Sequence, residues 1–408
     1  MFFKKLGLVL FLMMFFKFGM GNSIFSFEGM PNVHYGNDVY GLGMGNSGFG
    51  DLFRIGTNYQ NPAMLSTANK VIFSTAVRFG YNWYLEKEGA GFRDNELHFP
   101  YFTFAFPSGK HRFGLQYQPY MNAKLKNEQE KMFTDSGDAT YSYNEINRIS
   151  KAVNKISVIY AYRHAFATLG FSANYFLGHQ ITYWEMDIEN SLYSDAKYET
   201  EDSFKNLGFT VGLSKKFETF SLGFSYQSAS QLNGDRIKRY NFAPGTDTII
   251  EDDKLFETPP MFSFGYTQKF LRHFKFSSEL HYEMWENTDF YEQNSYKIGS
   301  GISYDPIRGY GKWYESVPVR LGAFYRLLPF EKENESITET GLTFGFSIPF
   351  VAPEKQLDFG CEYILRGDVD AHGVREKILY FSIGINGFDI FSKQPKKTAP
   401  RDIPKADF

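Results

Sequence analysis

The stretch that most constrains this chain is residues 377–391, which read Lys-Ile-Leu-Tyr-Phe-Ser-Ile-Gly-Ile-Asn-Gly-Phe-Asp-Ile-Phe. Leu379, Phe381, Ile383 and Ile385 alternate with Tyr380, Ser382, Gly384 and Asn386. In an extended strand this period puts the apolar side chains on one face. A tilted strand crosses a bilayer in roughly 9–11 residues, which the stretch supplies. It closes on the aromatic Phe391, as the last strand of an outer-membrane barrel usually does. A lone strand of this kind would leave its backbone unsatisfied in lipid, so the pattern has to repeat around a closed wall.

It does repeat. From Val71 onward, runs such as Phe73/Val77/Phe79/Tyr81, Phe113/Leu115/Tyr117, Leu207/Phe209/Val211/Leu213 and Leu342/Phe344/Phe346/Ile348 alternate with small or polar residues. About fourteen such runs fall between residues 71 and 391, an even number as bacterial single-chain barrels require. Their connections alternate too. Tight turns are expected at 107–111, 164–167, 216–219, 271–273 and 352–356. Longer polar loops are expected at 120–153, 180–205, 228–259, 327–339 and 367–376. Short turns at one end and long loops at the other mark a barrel with periplasmic turns; the link at 305–316 is the exception.

Composition agrees. An aromatic share of 19 %, from 45 Phe and 28 Tyr among others, coexists with a mean hydropathy of −0.36. A helical membrane protein would need several apolar runs of about 18 residues, and the part beyond residue 22 has none. In a barrel only alternate residues meet lipid, and aromatics ring the interfaces. A net charge of −3 argues against nucleic acid as a partner.

Residues 1–22 read as a secretory signal, with Lys4 and Lys5 before an apolar run from Leu6 to Phe16, although Lys17 interrupts it. Gly19, Gly21 and Ser23 suit cleavage near positions 21–26. Cys361 is the single cysteine, so no intrachain disulfide forms; it reads as a small lipid-facing residue. Residues 392–408, with prolines and charge but no periodicity, read as a disordered periplasmic tail.

Residues 23–70 differ from the rest. Gly43, Gly45 and Gly48 satisfy G-x-G-x-x-G, but a dinucleotide site needs a buried strand before this motif and a helix after it, and neither is evident. The glycines fit a compact, irregular segment with close backbone packing.

The ionisable groups fall on inward positions: Arg78, Arg163, Lys275, Glu279, His281, Glu283, Lys297, Arg320, Arg326, Asp358, Glu362 and Arg366. Glu279, His281 and Glu283 share one strand face at i, i+2 and i+4. A ladder of lumenal polar groups accounts for them better than a metal site, so no metal and no cofactor is expected. His281 with a lumenal serine such as Ser277 could be nominated for hydrolysis, but such groups face water rather than lipid, and no enzyme is expected.

The glycine-rich stretch at 41–50, followed by Asn61-Pro62-Ala63-Met64-Leu65, resembles the N-terminal hatch of FadL-like outer-membrane transporters (the FadL/TodX type). Val317-Pro318-Val319-Arg320-Leu321-Gly322, Gly341-Leu342-Thr343-Phe344-Gly345-Phe346 and Leu357-Asp358-Phe359-Gly360 resemble late strands of that family. The resemblance covers roughly residues 40–391; the appended tail departs from it. It implies an all-β fold, a monomeric transmembrane antiparallel β-barrel of about 14 strands in the bacterial outer membrane. It also implies a hatch in the lumen, with Gly43, Gly45, Gly48, Asn61, Pro62 and Ala63 as its marker residues. The implied function is passage of hydrophobic or amphipathic, fatty-acid-like small molecules. Similar barrels serve protein secretion, so a structural or binding role in an envelope assembly, with an envelope protein as partner, is the alternative.

Overall fold

The computed structural model describes residues 23–26, 32–56, 60–87, 91, 93–134, 140–188, 195–242, 245–291, 293–306, 313–350 and 356–389. The expected signal sequence, Phe391 and the tail lie outside the described residues.

The chain folds as a closed antiparallel barrel of fourteen strands preceded by an N-terminal segment. The N-terminal segment holds a two-residue strand β1 (Asn32–Val33), a single-turn helix α1 (Val39–Leu42) and a 3-10 helix at Pro62–Thr67. The wall begins with β2 (Ile72–Glu86), and three of its fourteen positions are each built from two strand pieces. β3 (Arg93–His98) and β4 (Phe102–Ser108) both pair with β2. After β5 (His111–Thr134), β6 (Thr140–Arg163), β7 (Thr168–Ile188) and β8 (Ala196–Lys216), the pieces β9 (Phe220–Gln227) and β10 (Ser230–Phe242) both pair with β8. Their partners β11 (Gly245–Thr258) and β12 (Met261–Phe270) form the next position. β13 (Phe274–Glu283), β14 (Ser295–Tyr304), β15 (Val319–Lys332), β16 (Glu335–Pro349), β17 (Gln356–Arg366) and β18 (Val374–Asp389) complete the wall. β18 pairs back onto β2, with Phe381 opposite Phe79, and closes it.

Alternation decides which face meets lipid. On β16, Leu342 is 66 % exposed while its neighbour Thr343 is 2 % exposed. At the short-turn end, ring pairs such as Phe106–Phe113, Phe217–Phe220 and Phe346–Phe359 stack with centroids 5.2, 4.2 and 4.7 Å apart. They form one aromatic girdle of the kind that marks a membrane interface.

Two expectations are corrected. Residues 120–153, 180–205 and 228–259 are not mainly loops: β5 to β8, β10 and β11 continue through them as paired strands. These strands rise past the barrel as a sheet with polar residues on both faces. Lys131–Glu145, Lys197–Glu185 and Arg239–Glu199 ion pairs lace it. With water on both sides, the period of two that betrays a half-buried strand is lost. Likewise 327–339 is a hairpin, turning at Glu333–Asn334, where both φ angles are positive.

The wall is irregular at one place. Between β3 and β4 the chain breaks at residues 99–101, where Pro100 has no N–H to give a ladder. β4 pairs with β5 only as far as Phe102 opposite Tyr117. Above that point β5 pairs with β1 instead, Val33 opposite Met121.

Candidate functional site

The N-terminal segment packs against inward-facing residues of the barrel, and polar side chains hold it there. Gly45 shows how close the approach is. Its φ is +72°, and a Cβ there would lie 2.2 Å from the Ser300 carbonyl oxygen and 2.5 Å from that of Ala323. Its N–H donates to Thr343 Oγ1 at 2.7 Å. Gly43 lies against the backbone of Gly345, and Gly48 faces the Arg54 guanidinium. Asn61 accepts from the Ala63 N–H at 3.1 Å, capping the turn that begins at Pro62, and donates to the Leu213 carbonyl at 3.3 Å. Met64 and Leu65 from that turn bury against Ala105, Ile159 and Ala161 of the wall.

The lumenal ionisable residues bind this segment or one another. Glu279 accepts from Asn37 Nδ2 and from the Phe49 N–H, both at 3.1 Å, and sits 3.3 Å from Lys297 Nζ. Glu362 accepts from Arg78 at 2.6 Å and from Asn46 Nδ2 at 2.7 Å. Arg320 lies 3.3 Å from Asp358 and donates to Ser347. Arg366 bridges Glu339 and Glu376 at 2.7 and 2.8 Å, and Glu376 accepts from Ser23 Oγ at 2.7 Å. Arg326 lies over the Tyr35 ring at 5.0 Å. One expected member is corrected: Arg163 is exposed at the last position of β6 and reaches Asn69 at 3.4 Å. The strand ends there, so its long side chain lies at the mouth rather than in the lumen.

Glu279, His281 and Glu283 share a face but spend their polar atoms on different partners. Glu283 accepts from Trp285 Nε1 at 2.6 Å. His281 has Ser263 Oγ 2.7 Å from Nδ1 and Glu279 Oε1 3.0 Å from Nε2. This connectivity resembles a hydrolytic triad, with Ser263 rather than Ser277 beside the ring. The Tyr35 ring stacks on His281 at 4.7 Å and Phe49 meets it edge-on at 5.5 Å. Ser263 and His281 are both buried.

Sequence reasoning missed the charged anchors of the N-terminal segment itself. Asp38 caps α1 through the Gly41 N–H at 2.8 Å and pairs with Arg54 at 2.5 Å. Arg54 reaches Asp51 at 3.2 Å, Asp51 reaches Lys275 at 3.0 Å, and Lys275 reaches Asp305 at 3.1 Å. Tyr40 lies between two guanidinium groups, Arg54 at 4.2 Å and Arg320 at 4.3 Å. Burial pushes the Tyr40 hydroxyl up to about 12. Burial also acts to raise the Asp51 carboxyl, but Lys275 and Arg54 outweigh it and hold it below its ordinary value. The available signal was simple: three charges in an apolar, glycine-rich stretch need partners if that stretch is buried.

Above this layer the barrel interior is filled by its own side chains. Trp285, Phe176, Phe204, Leu232 and Met121 form one buried apolar cluster with Val33 and Tyr35. Between the two layers lies a chamber of about 70 Å³ lined by Arg78, Lys297, Arg326, Arg366, Glu339 and Glu362 among others.

Comparison with solved structures finds the same fold. The toluene transporter TodX of Pseudomonas putida matches with a TM-score of 0.60 and 13 % identity, covering 88 % of this chain and 98 % of TodX. A Pseudomonas aeruginosa FadL homologue matches with a TM-score of 0.59 and 13 % identity, over 88 % of this chain and 99 % of the homologue. The CymD monoaromatic hydrocarbon channel matches with a TM-score of 0.58 and 15 % identity, over 90 % and 98 %. At these identities the likeness is one of fold, that of an outer-membrane barrel. No curated protein sequence matches the chain. A family model described as BamG matches residues 2–394, nearly the whole sequence, and the chain belongs to the BamG family.

Proposed function

We propose that this protein is a structural or binding component of an outer-membrane assembly, and that its barrel is a closed scaffold without catalytic activity. The observation that carries this reading is the filled interior. A site for a drug-sized or larger hydrophobic molecule takes roughly 300–1,000 Å³ of mostly apolar space. The chamber inside this barrel is only about 70 Å³, and its lining mixes six charged residues with apolar ones such as Leu42, Phe324 and Ile364. The lumenal space above it is taken up by Trp285, Phe176 and Phe204. The family name supports the same reading, since it points to the machinery that assembles barrels in the outer membrane. The sheet raised by β5 to β8, β10 and β11 offers polar surface beyond the bilayer for a partner.

A second reading, passage of hydrophobic small molecules, is favoured by one feature. The wall break at residues 99–101, beside which β1 pairs with β5, offers a place for the wall to open sideways, and the similar folds include hydrocarbon channels. The test is purification of the tagged protein from outer membranes in mild detergent, followed by protein and lipid mass spectrometry. The assembly reading predicts envelope proteins in fixed stoichiometry. Stoichiometric lipid or hydrocarbon with no protein partner overturns it.

A further inference from the structure

At the short-turn end a vestibule of about 570 Å³ opens below the N-terminal segment. Its floor includes Phe53 and Arg54, and its wall includes Arg163, Lys216 and Lys275. Lys275 is held by Asp51 and Asp305. Lys216 and Arg163 of the wall are not so occupied, and neither is Lys269, which lies outside the lining but beside the Phe53 ring. Lys216 lies 4.8 Å from the centre of the Phe53 ring, and Lys269, at the end of β12, lies 4.2 Å from the same ring. Among the described residues no carboxylate is in ion-pair distance of Lys216, Lys269 or Arg163. Like charges gathered round one ring repel one another, and an anion placed among them would remove that cost. On the lip, Phe166 is 70 % exposed, with the Lys215 ammonium 3.3 Å from its ring centre.

We propose that this vestibule receives an acidic peptide segment of a periplasmic partner. Its carboxylates would lie on Lys216, Lys269 and Arg163, and an apolar side chain against Phe53 and Phe166. This rests on the assembly reading and names the chemistry of the partner. The positions of the cations favour a peptide over a lipid headgroup. Lys216 follows buried Thr210 and Ser214 in alternation, Lys269 follows Ser263 and Thr267, and Arg163 follows Ile159 and Ala161. Lys216 and Lys269 thus fall on the inward face at the strand ends and Arg163 lies at the mouth, all three away from the surrounding leaflet. The chain's own C-terminal stretch is the wrong sign for this seat. Beyond β18 it carries Lys393, Lys396, Lys397, Arg401 and Lys405 against Asp402 and Asp407.

The test uses the full-length protein in detergent and a fluorescent decapeptide of alternating Glu and Phe, with a Gln/Phe peptide as control. Fluorescence anisotropy should show the acidic peptide binding at least about tenfold tighter than the neutral one, with affinity falling as salt is raised. K216E/K269E should remove that preference while leaving the heat-modifiable mobility of the folded barrel on gels unchanged. Equal binding of the two peptides, or an unchanged preference in the double variant, overturns the proposal. So does displacement of the peptide by vesicles rich in anionic phospholipid but not by vesicles of neutral lipid, which would make the mouth a headgroup site. Co-purification separates the two levels. A partner kept in full by K216E/K269E overturns the vestibule and leaves the assembly reading standing.

Discussion

At the scale of residues, the interior is a set of buried ion pairs in which each charge relies on a named partner. Glu279 is the clearest case, since it serves Lys297, Asn37 and the Phe49 N–H together. Breaking a buried pair by removing one member costs about 3–5 kcal/mol. Glu279→Ala should therefore loosen the N-terminal segment, read as faster proteolysis of residues 32–70 within an intact barrel. Gly45→Val should act similarly, because any Cβ there meets two backbone oxygens. Acid should have the same effect, through two groups whose folded values are depressed. Burial, reinforced by Arg78, Arg326 and Arg366, holds His34 down to about 4 despite its bond to Asn122. The folded form thus favours neutral His34, a contribution present above about pH 6.5 and lost as pH falls toward 4. The Asp51 contribution is present above about pH 4 and is lost below it. Proteolysis of the segment should quicken between pH 7 and 4 and again below 4. A flat profile would show that neither group matters to docking. How far this site was legible is also a matter of residues. Inward charges such as Arg320 and Glu362 stand out because their strand neighbours are apolar. Asp38, Asp51 and Arg54 sit in irregular chain, where no period marks a side chain as buried.

At the scale of elements, lipid is what made strands readable. β13 to β18 are 10 to 16 residues long, and their apolar face is set against lipid. β5 and β6 run to 24 residues each, and their upper halves, wet on both faces, carry Lys126, Glu128, Lys131 and Glu145 instead. The same difference sets the expected cost of a cation. Leu342→Arg should reduce insertion by about 2–4 kcal/mol, whereas Met132→Arg, 73 % exposed on the raised sheet, should be neutral. Equal folded fractions on heat-modifiability gels would contradict the division into membrane and aqueous parts. A protease site inserted at residues 135–139 should be cut on intact cells, and one at Ser108 should be protected. Cutting at both would place the short turns outside the cell.

At the scale of the whole molecule, fourteen strands enclose more space than wall side chains can fill. Here the N-terminal segment fills the lower part through backbone contact and ion pairs, while Trp285, Phe176 and Phe204 fill the upper part. Closure of the sheet followed from the period of the strands and their even number. The filling did not, because it depends on contacts between residues more than 200 positions apart, such as Asn37 with Glu279. The central claim is that this barrel is a sealed scaffold and that residues 41–65 are the lower seal. Ion conductance of purified protein in planar bilayers tests it most directly, comparing the full-length chain with a variant lacking 41–65. The account predicts a silent full-length protein, and a deletion variant that inserts but conducts only once Trp285, Phe176 and Phe204 of the upper filling are also cut to Ala. A full-length protein that conducts as well as that combined variant would contradict it.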